Sequence, residues 1–236
     1  MPEKFNIDTT QFTGGEKEKI KTWDSFAKRH MKEMRVIKKA GLLGKDNKDW
    51  RNVTEHLMVV SSLAGFLAEK LKTAGQDIDP ELVESAAILH DVSKRIDIER
   101  DVRYDTEKKE GRLTILLEQA GYSEQFIQTA SYAGRVPEIY IEDNEARSKA
   151  IDEIPLEQLI IAYSDARVRN VNVVSLEEAR DKNKAKVPKD QKFYDKWHRY
   201  YKEVEEYLFE KTDGKLKLDN IDNEECSNYL RSIERP

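Results

Sequence analysis

The stretch Ala86-Ala87-Ile88-Leu89-His90-Asp91-Val92-Ser93-Lys94 constrains this chain most. An apolar helical segment ends in an imidazole and a carboxylate side by side, with an ammonium group three residues on. Burying the first two is costly unless a partner compensates them, and a divalent cation bound by both does so. Two further residues fall where such a site needs them. His56 lies on an earlier amphipathic segment, and Asp165 lies near the end of a later one.

The apolar spacing predicts helices almost throughout. From about Glu16 to Ala40 one helix carries Trp23, Phe26, Ala27, His30, Met34 and Ile37, and Gly41 and Gly44 end it. His30 in that stripe reads as a satisfied core histidine. Asn52 or Thr54 caps a second helix reaching about Thr73, with Val53, Leu57, Val60, Ala64, Leu67 and Leu71 on its apolar face and His56 beside them. Asp79-Pro80 opens a third, with Asp as N-cap and Pro in the first turn. Its broad apolar face marks it as central.

The charged stretch from Arg95 to Thr114 reads as a short helix plus an exposed loop. Leu113 to Ala120 forms another helix, Ser123 caps the next, and Ala130 to Pro137 interrupts the helices. Pro155 starts a helix that turns Leu156, Leu159, Ile160 and Tyr163 to one side, with Asp165 on the following turn. Ser175 and Glu178 resemble a capping box. A Lys-rich connection precedes an aromatic-striped helix bearing Phe193, Trp197, Tyr200, Tyr201, Val204 and Leu208, whose His198 is off the stripe and exposed. Thr212-Asp213-Gly214 is a turn before a last short helix, and no convincing alternating strand is present. The expected organisation is a loosely ordered N-terminus at 1–15, a helical core at 16–187 and a C-terminal helical extension at 188–236.

The order His56, His90-Asp91, Asp165 resembles the HD-domain metal-dependent phosphohydrolase superfamily, named for a His…His-Asp…Asp ligand set. The flanking text is similar too: Arg51-Asn52-Val53-Thr54-Glu55-His56, Leu89 through Lys94, and Tyr163-Ser164-Asp165-Ala166-Arg167-Val168. The resemblance covers about Thr22 to Lys184. It implies an all-α HD-domain bundle with one divalent metal held by His56, His90, Asp91 and Asp165. Family branches with two metals carry extra histidines after the doublet, and none occurs here between His90 and His198.

Two imidazoles and two carboxylates suit Mn²⁺, Fe²⁺, Co²⁺, Ni²⁺ or Zn²⁺, with Mg²⁺ as a further option. Such an ion lowers the pKa of its water and stabilises charge developing on phosphorus. The resemblance implies that Lys94 contacts the substrate phosphate, and Arg51 is a second candidate for that role. Arg95, Arg167 and Arg169 are weaker ones. Asp97 and Glu55 are placed to act as general base.

The expected activity is hydrolysis of a phosphoester of a small substrate, a nucleotide by preference and a deoxynucleotide monophosphate as one option. The alternative is a non-catalytic nucleotide- or metal-binding module acting in signalling. A third reading, a helical interaction protein with unrelated histidines, requires ligand side chains more than about 8 Å apart, against metal–ligand bonds of about 2 Å.

Composition narrows the field. A net charge of −5 argues against a nucleic-acid polymer as partner. With Cys226 as the single cysteine no intrachain disulfide can form, which suits a reducing cytoplasm. No apolar run reaches the roughly 18 residues of a membrane span. Oligomeric state stays open, with a homodimer through the C-terminal helices as the expectation to test.

Overall fold

The computed structural model describes residues 16–44, 50–99, 106–136, 150–186, 191–216 and 221–233. The N-terminal stretch 1–15, the loop segment 100–105 and the Lys-rich connection at 187–190 lie outside the described residues. The helices are α1 (Glu16–Arg29), α2 (Met31–Lys39), α3 (Arg51–Thr73), α4 (Pro80–Leu89), α5 (Lys94–Glu99), α6 (Thr106–Gln119), α7 (Glu124–Val136), α8 (Leu156–Arg167), α9 (Leu176–Lys186), α10 (Gln191–Lys211) and α11 (Asn223–Ile233). A 3-10 turn at Ile151–Glu153 precedes α8. A two-stranded antiparallel hairpin, β1 (Val168–Arg169) and β2 (Asn172–Val173), follows it and pairs Val168 with Val173. Among the described residues the fold is all-α apart from that hairpin, and no described helix is long and apolar enough to cross a membrane.

Helix α3 is the hub. It packs on α4, α8 and α11, while α4 also meets α7 and α8. Every residue of α3 from Leu57 to Ala68 is buried, so the helix is enclosed on all sides rather than along one stripe. Its buried hydroxyls all find acceptors: Thr54 donates to Leu42 O (2.8 Å), Ser61 to Glu84 O (2.9 Å) and Ser62 to Met58 O (2.7 Å). Thr54 is therefore a strut to the preceding turn and not the helix cap. The N-cap position is Trp50, whose side chain does not cap the helix. Asp79 does cap α4 as its spacing predicts, its Oδ1 accepting from the Glu81 and Leu82 amides at 3.0 and 3.3 Å.

Three boundaries differ from the periodicity. The first helix is two helices meeting at His30, whose backbone leaves the helical region (φ −106°, ψ 40°). The cause is a tertiary bond: His30 Nε2 lies 3.1 Å from the buried Glu84 of α4, which also accepts two bonds from Arg29 and one from Tyr229 of α11. Helix α6 starts at Thr106, ahead of the apolar residues that announce it. Helix α7 runs through Ala130–Val136, where an interruption is expected, and includes Gly134. Burial of Ala130, Ala133 and Val136 on one face outweighs the weak propensity of a single glycine.

The C-terminal helices share the main core. Trp197, Tyr201, Val204 and Leu208 of α10 and Cys226 and Leu230 of α11 belong to the same apolar cluster as α3 and α8. Polar ties reinforce this: Arg167 at the end of α8 is buried, and donates to Val174 O, Tyr163 Oη and Ile221 O. Tyr163 in turn donates to Glu205 of α10.

Candidate metal centre

Three elements of the core deliver three donor atoms to one point. His56 sits in the second turn of α3, His90 follows the last residue of α4, and Asp165 lies in the last turn of α8. One ligand atom from each comes within 4.8 Å of the others. His56 Nε2 is 3.1 Å from Asp165 Oδ1, and His90 Nε2 is 3.3 Å from the same oxygen. The separation needed by unrelated histidines is thereby excluded for these three residues.

The other nitrogen of each ring is already committed. His90 Nδ1 lies 2.7 Å from Ala87 O, the carbonyl one turn back in α4. His56 Nδ1 lies 3.1 Å from Asn170 O in the hairpin turn. A carbonyl oxygen can only accept, so both Nδ1 atoms carry the hydrogen and donate it. A neutral imidazole has a single N–H, which leaves a lone pair on each Nε2. Two nitrogen lone pairs and a carboxylate oxygen then face one another, an arrangement that needs a positive charge among them. His90 Nε2 is buried and makes no aligned hydrogen bond. Outer carbonyls that hold imidazoles in this way are the usual support of a metal site.

Electrostatics follow from the same geometry. Burial lowers the pKa of His56 from the ordinary 6.5, and the bond and charge of Asp165 oppose this without cancelling it. Burial acts on His90 as well, but the charge of Asp165, with that of Asp91, outweighs it and holds that ring above 6.5. Burial alone would raise Asp165, yet the two imidazoles hold it well below the ordinary carboxylate value. In the absence of a cation, the pair that carries charge is His90 and Asp165.

The remaining sequence-predicted residues are placed as follows. Asp91 is buried beside His90 and outside the group of three. Its Oδ2 accepts from Lys94 Nζ, so the expected fourth ligand and the expected phosphate contact are paired with each other. Asp97 is buried and held on both oxygens, by Ser93 Oγ at 2.6 Å and Arg112 Nη1 at 3.1 Å. That carboxylate joins α5 to α6, a structural task that competes with general-base work. Arg51 is the first residue of α3 and is half-buried. Arg167 is fully engaged in the tie to α10 and residue 221.

Sequence reasoning missed the hairpin and its turn. Asn170 adopts a left-handed conformation (φ 57°), which turns its carbonyl to His56. The signal was the run Arg169-Asn170-Val171-Asn172, since asparagine tolerates this region better than other residues. The hairpin is fixed from the far end of the chain: Asn223, the first residue of α11, accepts from Val173 N at 2.7 Å and donates to Asn172 Oδ1 at 3.0 Å.

Two imidazoles and a carboxylate suit a borderline divalent ion, and three protein donors leave positions open for water and substrate. A family model described as HD domain matches residues 53–170, a span that contains His56, His90, Asp91 and Asp165. No curated protein and no solved structure gives a match.

Proposed function

The chain belongs to the HD-domain family, and on that premise we propose that it is a metal-dependent phosphohydrolase acting on a phosphoester of a small substrate, a nucleotide by preference. The convergence of His56 Nε2, His90 Nε2 and Asp165 Oδ1, with both Nδ1 atoms bound to carbonyls, carries the reading. His56, His90 and Asp165 would hold the ion, with Asp91 as the fourth ligand of the family pattern. When bound, a divalent cation supplies a water of lowered pKa and neutralises charge developing on phosphorus.

The chain's own residues do the rest. The Ala87 and Asn170 carbonyls keep both rings in the tautomer that presents Nε2. The buried faces of α3, α4 and α8 exclude water from behind the donors. Lys94, which reaches Asp91 and is partly exposed, is the cation for the substrate phosphate in this reading. A net charge of −5 supports a small nucleotide over a polymer, and the lone cysteine supports a reducing cytoplasm.

The test is phosphate release from a panel of nucleotides with Mn²⁺, Co²⁺ or Mg²⁺ added. Metal-dependent release that disappears in Asp165→Ala is the expected result. A chain that holds stoichiometric metal and releases no phosphate from any member of the panel favours a non-catalytic binding module or a substrate outside the panel.

A further inference from the structure

Arg169 stands four residues beyond Asp165, on β1, and one residue before the carbonyl that holds His56. Its guanidinium folds back on α8, where Nη1 donates to Asp165 O at 3.0 Å and to Val168 O at 2.7 Å. This is the ordinary way a cation satisfies the last carbonyls of a helix. The group also rests over the Trp197 ring of α10, 5.8 Å from its centroid. Capping uses a single nitrogen. The opposite edge, Nε with Nη2, is the fork that grips a phosphate or carboxylate with two parallel bonds. Among the described residues Nε is buried and has no hydrogen-bond partner.

A second group points the same way. Tyr201 of α10 is 3% exposed, and among the described residues its hydroxyl makes no hydrogen bond. The charge of Asp165 acts on both the Tyr201 hydroxyl and the Arg169 guanidinium, which also act on each other. A guanidinium with a buried, unbonded Nε and a hydroxyl that makes no hydrogen bond among the described residues thus lie near the ligand carboxylate. A buried N–H is costly to leave unbonded and marks a place for a ligand that accepts hydrogen bonds.

We infer that the free edge of Arg169, with the Tyr201 hydroxyl, is a receptor for a phosphoryl group of the substrate, so that α10 forms one wall of the substrate site. This inference rests on the phosphohydrolase reading of the centre. It assigns the C-terminal extension a direct part in substrate recognition, and it separates two cations by role. Lys94 acts as a point charge paired with Asp91, whereas Arg169 fixes orientation through a planar fork.

The experiment uses the full-length chain with Mn²⁺ and inorganic phosphate as the probe, comparing wild type with Arg169→Lys, Arg169→Gln and Tyr201→Phe. Manganese stoichiometry, a thermal melt and the phosphate dissociation constant are read on each. Arg169→Lys keeps the charge and can still cap α8, so a purely structural role leaves phosphate affinity at the wild-type value. The expected result is unchanged manganese binding with phosphate weakened at least about tenfold in both Arg169 variants and a smaller loss in Tyr201→Phe. In turnover, KM rises more than kcat falls. Wild type that binds manganese, yet binds phosphate equally well in the Arg169 variants or not at all, overturns the assignment and leaves the metal centre standing. Wild type that takes up no manganese overturns the reading of the centre. In that case, phosphate binding that is lost with Arg169 still supports the receptor.

Discussion

His56 Nε2 lies 3.1 Å from Asp165 Oδ1 although 109 residues separate them in the chain. The packing of α3 on α8 brings them together, and the carbonyl of Asn170, which takes the hydrogen of His56 Nδ1, turns the lone pair of Nε2 inward. The left-handed backbone of Asn170 makes this possible.

Substitution at Asn170 therefore separates backbone from side chain. Asn170→Gly keeps the turn and should leave metal affinity near the wild-type value. Asn170→Val forces a β-branched residue into a left-handed conformation, costing on the order of 1–3 kcal/mol of stability. Metal affinity in this variant should fall about 10–100-fold, the usual loss when an outer partner of a ligating histidine is displaced. Calorimetric metal titration and thermal melts of both variants check this.

Metal affinity should rise with pH. His90 is held above 6.5 by Asp165 in the cation-free chain, so a proton must leave before its Nε2 can bind metal. Affinity is weak below 6.5, climbs as pH passes the raised value, and then levels off. Stability of the cation-free chain runs the other way. The contribution of the raised His90 is fully present below 6.5 and is lost as pH rises through its folded value. That of the depressed Asp165 is present above 3.8 and is lost as pH falls through its folded value. Melts with and without Mn²⁺ across this range should show the metal-induced shift growing with pH.

Arg167→Met should be among the costlier single changes. The guanidinium is 1% exposed and holds Tyr163 Oη and the carbonyls of Val174 and Ile221, with Glu205 3.6 Å away. Removing one member of a buried ionic group costs about 3–5 kcal/mol. Denaturant titration measures it, and loss of metal affinity should accompany it because the hairpin hangs from this residue.

Gly65→Ala tests the close contact of α3 and α4. In an exposed helix this change stabilises by about 1 kcal/mol. Here an added Cβ would meet Glu84 Oε1 at 2.3 Å and Tyr229 Oη at 2.7 Å. Glu84 is fixed by Arg29, His30 and Tyr229 and cannot swing away freely. Destabilisation of about 1–3 kcal/mol is expected, read by the same titration.

The residues differ in how openly the sequence declares them. His56, His90 and Asp165 were legible through their order His…His-Asp…Asp and its flanking text, which resemble the HD-domain family, while helical spacing alone only placed them beside apolar faces. Asp91 was expected as a fourth metal ligand, and its pairing with Lys94 was not legible, since both lie on one turn and the choice of partner depends on side-chain rotamers. The break at His30 was hidden because its cause, Glu84, is 54 residues away. The hairpin escaped because strands of two residues have no room to show alternation. Arg169 was named only as a weaker phosphate candidate, and the stripe that holds Tyr201 reads as packing, for a different reason. An aromatic stripe and a charged helix end have ordinary structural uses, and these residues serve those uses as well.

The most direct measurement is titration of Mn²⁺ or Co²⁺ into chelator-treated protein, with the same titration on His90→Ala and Asp165→Ala. One ion per chain in the wild type, and binding weakened at least about 100-fold in both variants without loss of fold, is the predicted result. A wild type that takes up no ion, or variants that bind as tightly as it does, would contradict the assignment of His56, His90 and Asp165 as a metal centre.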